Sequence, residues 1–318
     1  MTNRVRLRSL AKINLDLRVL HKRADGFHEL RTIFQTISLA DTIEVEYQPG
    51  RSAIELTSNV DIPGNLILKA VDLAMRAMKA KGQLRIRLTK RIPLGGGLGG
   101  GSSNAASVLL ALPLLLKKKI ALEKLMALAS ELGSDVPFFL IGGTAVGLGR
   151  GTELYPLPDI PPSPGLLITP GIHCSTASAY AALNRQAKDE FTAAIIHNFQ
   201  SAVLSACSPT ANRQSPPVND FETVVFNQHP QLKSIQGKLL KLGAGRAMMT
   251  GSGSALFGLF TSRELRDSAA EQFKKKIASN QIYPFNMVSR ARYRALWWRQ
   301  LAVSPENKTW PPQDRYAG

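Results

Sequence analysis

Gly95-Gly96-Gly97-Leu98-Gly99-Gly100-Gly101-Ser102-Ser103-Asn104 is the stretch on which the fold turns. Six of its first seven residues are glycine, and each glycine costs backbone entropy on folding. Such a run makes sense where many N–H groups converge on one anion and no Cβ may intervene. Ser102, Ser103 and Asn104 are N-cap residue types. The small and apolar residues behind them predict a buried helix whose positive dipole end faces the loop. Physically this is a cradle for a di- or triphosphate. The Walker pattern fails because no Lys precedes Ser102. Gly95-x-Gly97-x-x-Gly100 matches the dinucleotide fingerprint, but glycine this dense matches it by accident. The segment about 20 residues on, LPLLLKKKIALEKL, reads as loop and helix, not as a strand ending in a ribose-binding acid. A glycine-rich turn without a ligand is the plain alternative.

Upstream, residues 4–20 alternate. Val5, Leu7, Ala11, Ile13, Leu15, Leu17 and Val19 fall on one side, and Arg4, Arg6, Arg8, Lys12, Asn14, Asp16 and Arg18 on the other. The period of two predicts a strand with one buried face, placing Lys12 and Asn14 on the same side about 6–7 Å apart. The turn Arg23-Ala24-Asp25-Gly26 follows, then a strand over Thr42–Tyr47, a helix over 65–80 stopped by Gly82, and a strand over Leu84–Leu88. Downstream, a helix over 121–132 ends at Gly133. YPLPDIPPSPG at 155–165, with five prolines, reads as a domain connector, and 207–220 as a breaker-rich loop. A helix is expected over 221–242, two strands around a Gly/Ser turn over 247–260, and an amphipathic helix over 262–278. The tail from 284 is basic and carries tryptophans.

The chain has 318 residues, 44% hydrophobic and 20% charged, a composition that excludes wholesale disorder and suits two packed domains. Two cysteines make neither a disulfide framework nor a metal knuckle, so a reducing, cytoplasmic compartment is expected. No apolar stretch is long enough for a bilayer. The net charge of +17 invites a nucleic-acid reading. The basic residues are spread along the chain, however, and no base-reading motif accompanies them, so a positive surface attracting a polyanionic small substrate accounts for the charge equally well.

The run Pro93-Leu94-Gly95 through Asn104 resembles the second motif of the GHMP kinases. SLAKINL at 9–15, RADGFHEL at 23–30, LGSDVPFF at 132–139 and MTGSGS at 249–254 occur in order with it. Together they resemble the 4-diphosphocytidyl-2-C-methyl-D-erythritol kinase branch of that family, over about residues 8 to 283; Asn219-Asp220-Phe221-Glu222 is a further family-like element. The resemblance implies an α+β, two-domain GHMP kinase fold. An N-terminal ATP-binding domain (1–158) with a ribosomal-protein-like α+β sandwich would precede a ferredoxin-like C-terminal domain (159–283), followed by a basic tail (284–318). It also implies ATP-dependent phosphorylation of the 2-hydroxyl of 4-diphosphocytidyl-2-C-methyl-D-erythritol in the non-mevalonate route to isoprenoid precursors. ATP would lie on Pro93 to Asn104, with Mg²⁺ held largely by phosphates and water. No nucleic-acid or membrane partner is expected, and monomer or homodimer stays open. The alternatives are a GHMP kinase of the homoserine or mevalonate type and a nucleic-acid-binding module on a related fold.

Residue by residue, Asp135 after Gly133-Ser134 reads first as a turn or cap acid; the resemblance makes it the catalytic acceptor of the substrate's proton. Lys12 reads as a solvated charge, and the resemblance sets it beside the transferring phosphoryl group, where a fixed ammonium offsets developing charge. Asn14 would bond the substrate from the same face. His28 would read the cytosine edge, with Phe27, where many relatives have Tyr, stacking on the ring. Tyr180 would form the opposite wall, with Thr176 a further candidate; otherwise these are structural residues. Gly251-Ser252-Gly253 is a turn by default and a substrate loop by resemblance.

Overall fold

In the computed structural model the described residues are 3–185, 193–207, 217–275, 277–278, 281–302 and 309–312. Most of the 207–220 loop read from the sequence, residues 208–216, lies outside them.

Two long strands, β1 (Asn3–Lys22) and β2 (His28–Gln48), form an antiparallel hairpin around the Arg23–Gly26 turn, where Gly26 takes φ +84°. β4 (Gln83–Thr89) pairs with the C-terminal half of β2 and β5 (Thr144–Gly149) with its N-terminal half. β3 (Ala53–Ser58) adds to β4 in parallel, and β6 (Glu153–Pro156) adds to β5. β4 shows the period of two read from the sequence, with Leu84, Ile86 and Leu88 buried between exposed neighbours. Helices α1 (Leu66–Ala77), α2 (Gly100–Leu115), α3 (Leu122–Leu132) and α4 (Val136–Ile141) share a core with this sheet through residues such as Leu7, Val45, Leu109 and Phe138.

Beyond the proline-rich 155–165 segment, β7 (Pro164–Ile168), β8 (Arg246–Met249), β9 (Leu256–Leu259) and β10 (Ile282–Asn286) make a second, antiparallel sheet in the order β10-β7-β9-β8. Helices α5 (Thr176–Leu183), α6 (Ala193–Cys207), α7 (Phe221–Gln228), α8 (Pro230–Lys241) and α9 (Arg263–Lys274) belong to this half. Two departures from the sequence reading have local causes. The helix expected over 221–242 breaks at His229 (φ −134°), because Pro230 pushes its predecessor out of helical geometry. The first helix ends through Lys79 at φ +49°, not at Gly82, whose own missing Cβ makes room for the Tyr47 ring. The tail folds into α10 (Arg290–Gln300), which buries Tyr293 and Trp297 in the first core.

The largest correction concerns β1. Its alternation predicts one buried face, yet from Ser9 to Leu20 both faces are buried. The sides reverse between Leu7 and Leu10, and a register shift against β2 follows between Leu10 and Lys12. Leu7 and Leu10 enter the first core, whereas Ala11, Ile13 and Leu15 pack with Phe257, Met248 and Phe285 of the second sheet. The second half of the molecule thus covers one side of β1, and Lys12 on the other side lies by the starts of α2 and α4. Among the described residues no helix is long and apolar enough to cross a membrane.

Candidate active site

The glycine loop enters α2 without a side-chain cap. Its N-cap is Gly99, left-handed at φ +65°, and no side chain bonds there. The first N–H groups of a helix lack partners within it, so here they remain for an anion. The serines and asparagine expected as caps are used differently. Ser103 Oγ donates to Leu10 O (2.6 Å), and Asn104 Nδ2 donates to Asp41 (2.9 Å) and Ser9 Oγ (3.0 Å), all buried. These two side chains lock α2 onto the sheet. Lys90 Nζ pairs with Asp41, whose other oxygen accepts Arg91 and Ile92 N–H at 2.8 Å, fixing the corner from which the loop departs.

Several of the glycines answer to the protein's own packing as well. A Cβ on Gly97 would lie 2.1 Å from Thr250 O, one on Gly99 2.9 Å from the Phe139 ring, and one on Gly100 2.9 Å from Lys90 Nζ. A Cβ on Gly251 would in turn lie 2.9 Å from Gly97 Cα, in the same crowded contact. Around Gly95 and Gly101 the nearest atoms are 3.7 and 3.9 Å away.

Lys12 is almost fully buried, its Nζ 2.7 Å from Asn14 Oδ1 and 3.4 Å from Asp135 Oδ2. Asp135 stands at the N-cap of α4 but makes no cap bond there, and its carboxylate is a third exposed. It faces the cleft, free of the structural duty that its position in the sequence suggested. Asn14 is held at both amide atoms: Nδ2 donates to Thr32 Oγ1 (2.8 Å), and Oδ1 accepts from Lys12 and from Gly251 N (3.0 Å). Thr250 Oγ1 accepts the Asn14 N–H at 3.1 Å. Asn14 therefore orients Lys12 and ties β1 to the 249–254 turn. Asn219 holds that turn from behind, donating to Met249 O and Gly251 O, and Glu222 accepts Met249 N–H.

At the other end of the cleft, the His28 and Tyr180 rings stack with centroids 4.7 Å apart and planes 20° off parallel. Tyr180 is seated edge-on against Phe221. Burial, with a smaller contribution from Asp135, pushes the Tyr180 phenol up to about 12. Burial first, then the charges of Lys22 and His21, holds His28 below the usual imidazole range, so its ring is neutral at pH 7. Phe27 is half exposed under the Arg150 guanidinium, 4.3 Å from the ring centre. Thr176 and Ser252 share a 2.8 Å hydroxyl–hydroxyl bond.

A cavity of about 720 Å³ joins these groups. Lys12, Asn14, Phe27, His28, Gly97, Gly99, Ser102, Asp135, Thr176, Tyr180, Gly251 and Ser252 line it. Pro93, Leu94, Gly95, Gly96, Leu98, Gly100, Gly101, Ser103, Asn104 and Gly253 do not. Thr32, Phe34 and Arg150 line it without having been singled out. None sits in a motif; Thr32 was reachable only through its pairing with Leu17 across the hairpin. A second cavity, about 560 Å³, lies over β3 and the start of α1, bordered by Leu56, Ile62, Asn65 and Leu68. The neighbouring Leu66 reaches to 3.9 Å from where a Gly101 Cβ would stand, at the first turn of α2. The site thus sets a carboxylate, an ammonium and an open helix N-terminus around one space, which is what transfer of a phosphoryl group to a hydroxyl needs.

Comparison with known proteins agrees. Residues 65–143 match the GHMP kinases N-terminal domain and 205–279 the GHMP kinases C-terminal domain. The chain is 51% identical to the 4-diphosphocytidyl-2-C-methyl-D-erythritol kinase of Solibacter usitatus, covering 99% of this chain and 98% of that protein. Identity is 40% to the protein of the same name from Methylacidiphilum infernorum, over 80% and 86% of the two chains. A crystal structure of 4-(cytidine 5'-diphospho)-2C-methyl-D-erythritol kinase superposes with a TM-score of 0.73 at 36% identity, covering 89% of this chain and 98% of that one. A homoserine kinase from Cytophaga hutchinsonii shares the fold at 18% identity (TM-score 0.66). Motifs, two-domain α+β architecture and near full-length identity converge: the chain belongs to the 4-diphosphocytidyl-2-C-methyl-D-erythritol kinase family of GHMP kinases.

Proposed function

We propose that this protein transfers the γ-phosphoryl group of ATP to the 2-hydroxyl of 4-diphosphocytidyl-2-C-methyl-D-erythritol, releasing ADP and the 2-phosphate. The observation that carries the reading is one cavity holding the Lys12–Asp135 pair beside the glycine loop at one end and the Phe27–His28–Tyr180 cluster at the other. The triphosphate lies against the uncapped N-terminus of α2, and the ATP base enters the neighbouring cavity beside Asn65 and Leu68. The cytosine enters among the three aromatic rings, which requires His28 and Tyr180 to part. The acceptor hydroxyl attacks the γ-phosphorus while its proton passes to Asp135 Oδ, and the Lys12 ammonium offsets the charge on the transferring oxygens. Asn14, which lines the same cavity, keeps that ammonium in place and meets the substrate from the same face.

Among the described residues no cluster of three His, Cys, Asp or Glu side chains could cage a metal. Asp135 and Ser102 still offer oxygen ligands at the cleft, a donor set that suits magnesium with phosphates and water completing its shell. The ion would neutralise phosphate charge. With two cysteines in 318 residues, the reducing cytoplasm is the place we assign to the reaction.

ADP release with Mg-ATP, comparing 4-diphosphocytidyl-2-C-methyl-D-erythritol with homoserine and mevalonate, tests the reading. Turnover is expected with the cytidylyl substrate alone. Binding of ATP without turnover of that substrate would overturn the substrate assignment.

A further inference from the structure

The C-terminal family match ends at residue 279, and nothing in the mechanism above uses the residues beyond it. They nevertheless contact the helix that presents Asp135. α4 has six residues, too few to be stable alone. Its last carbonyls need partners from outside its own ladder. Phe138 O is taken by Gly142 N at 2.9 Å. The next two are taken by the tail: Tyr293 Oη donates to Phe139 O (2.5 Å) and Trp310 Nε1 to Leu140 O (2.8 Å).

Tail and helix are also fitted sterically. The Tyr293 ring fills the space of a Gly142 Cβ, coming within 2.2 Å of it, and the Arg290 backbone does the same at Gly143, within 2.7 Å. Both glycines have positive φ, +68° and +72°, so neither the conformation nor the space admits a side chain. The tail is anchored in its turn. Asp159 accepts Arg290 and Ala291 N–H at 2.6 and 3.2 Å, the Arg290 guanidinium bonds Leu157 O and Thr144 O, and Trp298 Nε1 donates to Thr309 O.

From α4 the contacts run to the Lys12–Asp135 end of the site. Asp135 heads the helix. The Phe139 ring abuts Gly99. Phe138 packs on Phe34 at 4.9 Å, and Lys12 Nζ sits 5.5 Å over that same Phe34 ring. We infer that α10 together with Trp310 is a clamp on α4, with Tyr293 and Trp310 positioning residues that hold Asp135 in register with Lys12 and the glycine loop. This rests on the kinase reading for its effect on turnover, but not for the clamp itself.

The test uses the full-length protein with Tyr293→Phe and Trp310→Phe, singly and together. Each change keeps an aromatic ring and removes one donor. The double variant should lose about tenfold in kcat, as a small misplacement of a catalytic group does, with both KM values within about twofold of wild type. Amide exchange over residues 136–143 should quicken while that of α8 stays unchanged. Gln300→Ala, which removes the bond to Arg8 N–H at the far end of α10, is the control: it should lower Tm and leave kcat alone. A folded double variant with wild-type kcat and wild-type exchange over 136–143 would overturn the inference, as would an equal loss of kcat in Gln300→Ala. If the double variant does not fold, Tyr293→Phe alone decides by the same two readouts. If the wild type fails to turn over the cytidylyl substrate, the kinase reading falls, and exchange over 136–143 still decides the clamp.

Discussion

Replacing Gly97 with alanine separates two duties that the glycine loop performs at once. The residue has φ +72°, where an L-residue loses about 1–2 kcal/mol. Its new Cβ would stand 2.1 Å from Thr250 O and 2.8 Å from Thr250 C. Relief needs a displacement of at least about 1.3 Å to reach ordinary van der Waals contact. Thr250 cannot yield cheaply, because it is fully buried, its N–H bonds Ala255 O, and its hydroxyl accepts the Asn14 N–H. Overpacking of this kind costs about 1–3 kcal/mol. The two effects together come to about 2–5 kcal/mol, or roughly 3–8 °C in Tm for a chain of this size. The displaced turn carries Gly251 N away from Asn14 Oδ1, and Lys12 loses its fixed acceptor with it. Gly97→Ala should therefore lose stability and kcat together. Gly101→Ala is the comparison: helical, exposed and 3.9 Å from its nearest neighbour, it should hold or raise Tm, since Ala favours a helix. Any rise in its ATP KM then reports backbone approach to phosphate. Thermal melts and steady-state kinetics on both variants are the assay. A Gly97→Ala protein with wild-type Tm and kcat would refute the loop-to-loop packing argument.

Three further outcomes follow from the site. Asp135→Asn should cost about 10²-fold or more in kcat with Tm unchanged, since the carboxylate caps nothing and its ion pair is partly exposed; melts and ADP release check both halves. Asn14→Ala should behave differently, losing both kcat and about 1–3 kcal/mol of stability because Thr32 and the Gly251 N–H lose their partner; a denaturant titration measures it. His28 has a folded pKa depressed from 6.5, mainly by burial. The fold thus favours its neutral ring, and this contribution is complete above the unfolded value and lost as pH falls through the lower, folded one. An NMR titration of the His28 ring should give a midpoint below 6.5, with the affinity of a cytidine diphosphate probe weakening through the same window; a midpoint above 6.5 contradicts the desolvated stack.

Much of this was legible in the chain because it depends on local rules. A period of two in 84–88 and the helical period in 66–77 each need only neighbouring residues to choose a conformation. The glycine run announces backbone geometry directly, and five ordered motifs carried the family. What failed did so where a distant segment intervened. Nothing local in residues 9–20 reveals that a second sheet covers β1, so its polar residues read as solvated while Lys12, Asn14, Asp16 and Arg18 are buried. Ser103 and Asn104 had the chemistry of caps, yet Leu10 and Asp41, more than 60 residues away, claimed their side chains.

By itself, then, the sequence determined most elements, the glycine loop and the family, since periodicity, turn chemistry and motif order are properties of contiguous residues. Only the tertiary structure decided which groups meet. A reversal of sides within β1 leaves Lys12 beside Asp135, the 249–254 turn packs into the glycine loop, and a tail read as basic and of unknown role closes over the helix behind Asp135. Those outcomes depend on contacts between segments more than 100 residues apart, whose energies compete only once the chain has closed on itself.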